Sequence, residues 1–238
     1  MIVFPKNWNR VGQHIGIREI DTALNNVVWG IDCNALSFSG GLDSSLLLYH
    51  MCMVRLPIAE KYSPVPVKVF TVARSKTHPD VIFAKKVVKY FRKKFPCIDL
   101  KHYILIYGNY IREQDNGIEL FYKFIAQYTD AIIAGDGVDE FMCGYYDHQF
   151  SGSRREQTYY KRLRELQKNH LRPLNRVSGK VRVYLPYIDE SLITFYNQIP
   201  LREKVDNDTR KKVMVAMAKG KVPDEVLIRR KYGFCDVA

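Results

Sequence analysis

The chain has no apolar run near the roughly 18 residues that a bilayer-spanning helix requires. Its opening, MIVFPKNWNR, lacks the basic-then-apolar order of a secretory signal. Both absences point to a soluble, cytoplasmic protein with no membrane partner. Cysteine is sparse and scattered: Cys33, Cys52, Cys97, Cys143 and Cys235 form no C-x-x-C pair. That argues against a disulfide framework, a zinc knuckle or a paired-cysteine sulfur relay, and for reduced, mostly buried thiols. No repeat or low-complexity tract is present. Two familiar glycine signatures are also missing, the G-x-G-x-x-G of dinucleotide sites and the G-x-x-x-x-G-K-[ST] of P-loops.

Acids are the minority charge. Thirty-seven Lys and Arg face 25 Asp and Glu, a net charge of +12. The basic residues gather in Lys85 to Lys94, Arg154 to Arg172 and Arg202 to Lys231. Such a balance suits polyanions, but the first two clusters also read as solvated faces of amphipathic helices, the favoured reading. A nucleic-acid partner is compatible with the charge and is not the preferred one.

Short apolar runs alternate with helical periodicity. EIDTALNNVVWGI reads as a helix leading into the run Ala35 to Phe38. Leu46, Leu47, Leu48, Met51 and Val54 then mark a buried helix from Ser44 to Arg55, its start capped by Asp43 and the serines. PVKVFTVA is a second strand, and Val81, Ala84, Val88, Phe91 and Phe95 give an amphipathic helix after it. KHYILIY, GIELFYKFIAQY and DAIIAG read as strand, helix and strand. The alternation predicts an α/β fold, a parallel sheet with helices on both faces. Residues 1–150 are expected to form this core behind a short N-terminal extension, and 151–238 a helical C-terminal lobe that completes the site.

Two glycine-and-acid turns fall at strand carboxyl ends, where parallel sheets bind ligands. In SFSGGLDSS, glycines let the backbone approach an anion, while Ser39, Ser44 and Ser45 add donors at a helix start. Asp43 would repel a bare phosphate, a conflict that Mg²⁺ resolves. The second turn, GDGVDE, sets Asp136, Asp139 and Glu140 around Gly137. The two turns are expected to face one crevice.

The first turn matches the S-G-G-x-D-S loop of ATP pyrophosphatases, which cleave ATP to AMP and pyrophosphate. AGDGVDEFMCGYY then resembles the G-E-G-x-D-E and G-G-Y of the asparagine synthetases, LPYIDESL their V-P-F-L-D segment, and VPDEVLIRRKYGF their L-P-x-x-[IV]-x-x-R-x-K-x-x-F ending. The likeness runs from Ala35 to Phe234. It implies an adenine-nucleotide α-hydrolase-like fold and an ATP- and Mg²⁺-dependent ligase. Such an enzyme adenylates a carboxylate, aspartate by default, and transfers ammonia or an amine, releasing AMP and pyrophosphate. It also implies ATP contacts by Ser39, Gly40, Gly41, Asp43, Ser44, Ser45, Val72 and Gly135, and Mg²⁺ on Asp43 and Asp139. Lys231 takes the lysine that holds phosphates and developing charge, and Asp136 a proton-handling acid.

This chain departs from the pattern in four places. Asp136 replaces glutamate, and Tyr184 stands where an arginine precedes V-P-F-L-D. Only Ile111-Arg112 remains of the stretch T-[ST]-I-R-A, so Arg112 alone carries over to the acceptor pocket. The chain starts Met1-Ile2 without the family's glutaminase domain, which leaves room for a separate glutaminase subunit. The alternatives are a tRNA-modifying ATP pyrophosphatase and a non-catalytic nucleotide-binding regulatory subunit.

Overall fold

The computed structural model describes residues 16–62, 65–108 and 114–230. In chain order its elements are α1 (Ile17–Trp29), β1 (Ala35–Ser37), α2 (Leu42–Lys61), β2 (Val65–Ala73), α3 (Pro79–Lys94), β3 (Ile98–Ile106), α4 (Gln114–Ile125) and β4 (Ala131–Ile133). There follow α5 (Val138–Phe141), α6 (Tyr146–Phe150), α7 (Arg155–Leu166), α8 (Arg172–Val177), β5 (Arg182–Tyr184), α9 (Glu190–Gln198), α10 (Leu201–Lys204), α11 (Lys212–Ala218) and α12 (Asp224–Leu227). A single π-helical turn, Gln167–Leu171, joins α7 to α8.

The strands form one all-parallel sheet in the order β3-β2-β1-β4-β5, flanked by helices as the alternating pattern predicts. Right-handed crossovers carry α2 and α3 over one face as the chain steps from β1 to β3, and α4 over the other as it returns to β4. Strand order therefore reverses at β1, whose Leu36 lies level with Val69 of β2 and Ile133 of β4. A reversal of this kind opens a crevice at the strands' carboxyl ends.

The described chain divides into two compact units, each assembled from separate stretches. The sheet unit takes Val28–Ala134, Asn175–Tyr184 and Ala218–Ala238. Its core is aliphatic and aromatic: Leu36, Leu46, Leu47, Leu48, Val67, Val69, Phe70, Ile132 and Ile133 are fully buried. Phe70 stacks on Tyr103 at 5.0 Å and meets Phe124 and Tyr128 edge-on or tilted. Tyr49 of α2 meets Phe95, just past α3, ring edge to ring at 6.0 Å. Arg55 is also buried. Its guanidinium donates to the carbonyls of Met51 and Cys33 and to Asn34, which satisfies a charge that apolar surroundings would otherwise reject.

One strand went unforeseen. β5 lies in the C-terminal lobe, at a break between its helical segments where no strand was predicted, and it extends the sheet beside β4. Three residues are too few for an alternation to show in sequence. The neighbour's backbone supplies the pairing: Arg182 N–H donates to Asp130 and Ala134 N–H to Tyr184.

The second unit, Met1–Val27, Gly135–Leu174 and Leu185–Met217, contains helices and turns with no strand among its described residues. Phe141 and Tyr196 pack at its centre. Lys204 is buried there, donating to the Tyr159 hydroxyl at 2.7 Å, and burial lowers its pKa to about 8. His148 has no exposed surface; its Nδ1 accepts from the Tyr145 N–H, and its Nε2 has no partner among the described residues. Burial pushes this imidazole down from 6.5 to about 4.

Two measurements test this packing. Phe70→Ala removes the ring shared by β2, β3 and α4 and should lower stability by about 3–5 kcal/mol, read by denaturant unfolding of the full chain. For His148 the folded pKa lies below the unfolded one, so its contribution is intact above pH 6.5 and lost as pH falls towards 4. The full loss is about 3 kcal/mol. His148→Gln should flatten that part of the stability-against-pH curve.

Candidate active site

Within the sheet unit, β1 ends at Ser37 and α2 begins at Leu42, so Phe38 to Gly41 make the turn. Phe38 is locked from both sides: its N–H donates to the Phe70 carbonyl at 2.7 Å, and its carbonyl accepts from the Thr71 hydroxyl at 2.6 Å. Gly40 adopts φ +68°, and a Cβ there would run into the backbone of Ala84 in α3. Only glycine satisfies both constraints.

The expected capping of α2 is not what forms. Gly41 is the N-cap, and no side chain caps it among the described residues. Ser39 Oγ instead accepts from the Gly41 N–H at 3.2 Å, and Ser44 Oγ donates back to the Gly41 carbonyl at 3.3 Å. Asp43 lies in the first turn. The Ser45 hydroxyl is fully buried and has no partner among the described residues. A 20-residue helix thus starts without an N-cap side chain, at the positive end of its dipole.

Arg229 secures this turn. Its guanidinium donates to the Ser39 carbonyl at 3.0 Å, pairs with Asp80 at the start of α3, and lies 4.5 Å from the Phe83 ring centroid. Only 4% of its side chain is exposed. The sequence reading singled out Lys231 in the RRKYGF ending and passed over Arg229. One arginine among many gives no signal, although its place in that ending was one.

In the second unit, the acidic turn follows Gly135 and leads into α5. His170, on the π-turn, meets Asp136 through Nε2 at 2.6 Å from Oδ1. Asp139 is paired with Lys211 at 2.5 Å. Glu140 is buried and accepts from the Tyr145 hydroxyl at 2.7 Å; burial raises its pKa. The ring of Tyr145 lies under Arg162, which itself pairs with Asp147. The two described non-glycine residues with left-handed backbone, Cys143 and Lys211, flank this arrangement. Between them Gly144 leaves room for the ion pair, since a Cβ there would overlap Asp139 and Lys211. Strain at such a site is stabilised by the contacts around it.

A family model described as asparagine synthase matches residues 35–182 and 176–238. The chain belongs to the asparagine synthase family. A comparison with curated proteins finds no match. That family is one of ATP-dependent amidating ligases and pyrophosphatases. Among the described residues no helix is long and apolar enough to cross a membrane.

The residues expected to hold ATP by analogy with the family divide between the two units. Ser39, Gly40, Gly41, Asp43, Ser44 and Ser45 form one continuous turn. Val72 shares the sheet unit, on β2 beside Leu105 and on the face that carries Phe70. Gly135, Asp136 and Asp139 belong to the helical unit. Lys231 and Arg112 lie outside the described residues. No cluster of three or more metal-ligating side chains occurs among the described residues. A cluster is not what Mg²⁺ needs, since one or two carboxylates with phosphate and water complete its shell. Asp139 fits that role, because its near-buried carboxylate already demands a cation, here the Lys211 ammonium.

Arg229→Ala should raise amide hydrogen exchange at Gly40 and Gly41 roughly tenfold, the equivalent of one lost charge-assisted bond of about 1.5 kcal/mol. Arg229→Lys should not restore protection, because a point charge cannot bridge the Ser39 carbonyl and Asp80 while lying over Phe83.

Proposed function

We propose that the chain is an AMP-forming carbon–nitrogen ligase. The reading rests above all on the turn between β1 and α2: a helix start with no N-cap side chain, a Ser45 hydroxyl without a partner among the described residues and a fixed Ser39 carbonyl at the strand reversal. Such a turn suits a phosphate chain. Ser39, Gly40, Gly41, Ser44 and Ser45 receive the ATP phosphates, Val72 borders the adenine and Gly135 offers backbone to the nucleotide. Asp43 and Asp139 are the carboxylates for Mg²⁺, which supplies charge neutralisation on the phosphate oxygens when bound.

A carboxylate oxygen of the acceptor, aspartate in the first instance, attacks the α-phosphorus. The bond to the β-phosphate oxygen breaks, and an acyl-adenylate and pyrophosphate result. Lys231 balances the charge that develops in this step, and Asp136 serves the second, in which ammonia or an amine displaces AMP. Ammonia arrives free or from a separate glutaminase subunit, in the cytoplasm.

The deciding experiment is a pyrophosphate-release screen of the full chain with ATP, Mg²⁺ and ammonia, across amino acids and tRNA. One carboxylate should release pyrophosphate and AMP in equal amounts, and chelation of Mg²⁺ should stop it. Asp43→Asn should lower the rate by roughly a hundredfold or more; undiminished AMP production in that variant sinks the reading. Turnover confined to tRNA, with strongly salt-sensitive affinity, would identify the tRNA-modifying alternative. Nucleotide binding without pyrophosphate release from any acceptor would identify the regulatory one.

A further inference from the structure

Three acids crowd the turn from Asp136 to Glu140, and two of them are already engaged. Glu140 is 4% exposed and holds the Tyr145 hydroxyl; Asp139 carries the Lys211 ammonium. Asp136 is different, since its partner is an imidazole with two-fifths of its side chain exposed. That imidazole sits on the π-turn Gln167–Leu171, where one extra residue per turn re-aims side chains between two ordinary helices, a feature frequent at functional positions.

The hydrogen bond fixes the chemistry of the ring. A carboxylate only accepts, so the Nε2 facing Asp136 Oδ1 carries hydrogen, and in the neutral ring Nδ1 is then the basic nitrogen. Nδ1 makes no hydrogen bond among the described residues. We infer that His170 is the proton acceptor in amide formation, with Asp136 as the residue that orients it. The inference rests on the ligase reading above.

The electrostatics agree with the geometry. The bond to Asp136 and the nearby charges of Glu140 and Asp139 raise the His170 pKa against the opposing effect of burial. On its own segment the ring has Lys168 and Arg172 as basic neighbours in sequence. An imidazolium formed here is stabilised by three acids, as a carboxylate stabilises the charged histidine of a catalytic triad.

The step balances simply. The ammonia lone pair attacks the acyl carbon of the adenylate, and the carbon–oxygen bond to AMP breaks, with AMP taking the electron pair. One N–H proton passes to His170 Nδ1, and solvent later removes it. The amide, AMP and one proton are the products.

The test has two arms. In the first, the full chain labelled with ¹⁵N-histidine is titrated by NMR. His170 should appear as the Nε2–H tautomer, titrating above ordinary histidine, and Asp136→Asn should lower its midpoint. An Nδ1–H tautomer, or a midpoint indifferent to Asp136→Asn, overturns the proposal.

In the second arm, ammonia and hydroxylamine compete for the adenylate of whichever amino acid releases pyrophosphate in the screen. Hydroxylamine is largely unprotonated at neutral pH and loses its proton readily after attack. His170→Asn should cut amide formation from ammonia roughly a hundredfold and hydroxamate formation far less, and added imidazole should restore part of the ammonia rate. Asp136→Asn, which keeps the ring, should show the same preference in weaker form. Equal loss with both nucleophiles, or no loss with either, overturns the proposal. If wild type releases no pyrophosphate with any acid, the ligase reading fails and the catalytic role falls with it, while the tautomer result still reports on the pair itself.

Discussion

Everything proposed for this chain hangs on a strand of three residues. β1 is hydrogen-bonded to β2 on one side and β4 on the other, so its direction is fixed twice over. A parallel strand held on both edges cannot twist away when the chain leaves it. The loop that follows inherits that rigidity through Phe38, which is bonded to both Phe70 and Thr71 of β2. Gly40 then turns the chain against α3 and into α2. The apolar core behind these elements acts as the foundation of the proposed phosphate site.

Charges are handled differently in the two units. In the sheet unit Arg55 and Arg229 are buried cations satisfied largely by backbone carbonyls and, for Arg229, one carboxylate. Guanidinium is suited to this because its fork serves several acceptors at once. In the helical unit Asp136 and His170 meet with part of each side chain exposed, while the more deeply buried acids are matched in short pairs, Asp139 with Lys211 and Glu140 with Tyr145. Pairs of that kind are costly to break singly, because the survivor is left buried without its partner. The arrangement favours precise positions over exchangeable surface charge.

Much of the sheet was legible in the sequence because its strands and helices are long enough to show their periods. The apolar steps of α3 and the β-branched run of β2 each carry a pattern of adequate length. β5 did not, since Arg182, Val183 and Tyr184 take their strand character from β4. The glycine-and-acid turns were visible because they need fixed residue types at fixed spacing. Their partners were not. His170 is 34 residues from Asp136 and Lys211 is 72 from Asp139, and each stands in a basic stretch where its neighbours look alike. The serines of the first turn were read as caps as well as anion donors, but here Ser39 and Ser44 brace Gly41 in place of capping α2. Local rules favour the cap; the turn imposed by β1 and α3 overrides them.

The bond from Arg229 to Ser39 closes a loop of 190 residues. Contacts of that span form late, because the chain entropy lost in bringing such distant segments together must be offset by structure already in place. The sheet can pair and α2 can pack while the Ser39 carbonyl still faces water. The turn between β1 and α2 therefore depends for its brace on a residue 190 positions away, which the sheet itself does not need for its pairing. Pairing the sheet and bracing the turn at its edge are, for this molecule, separate tasks given to distant parts of the chain.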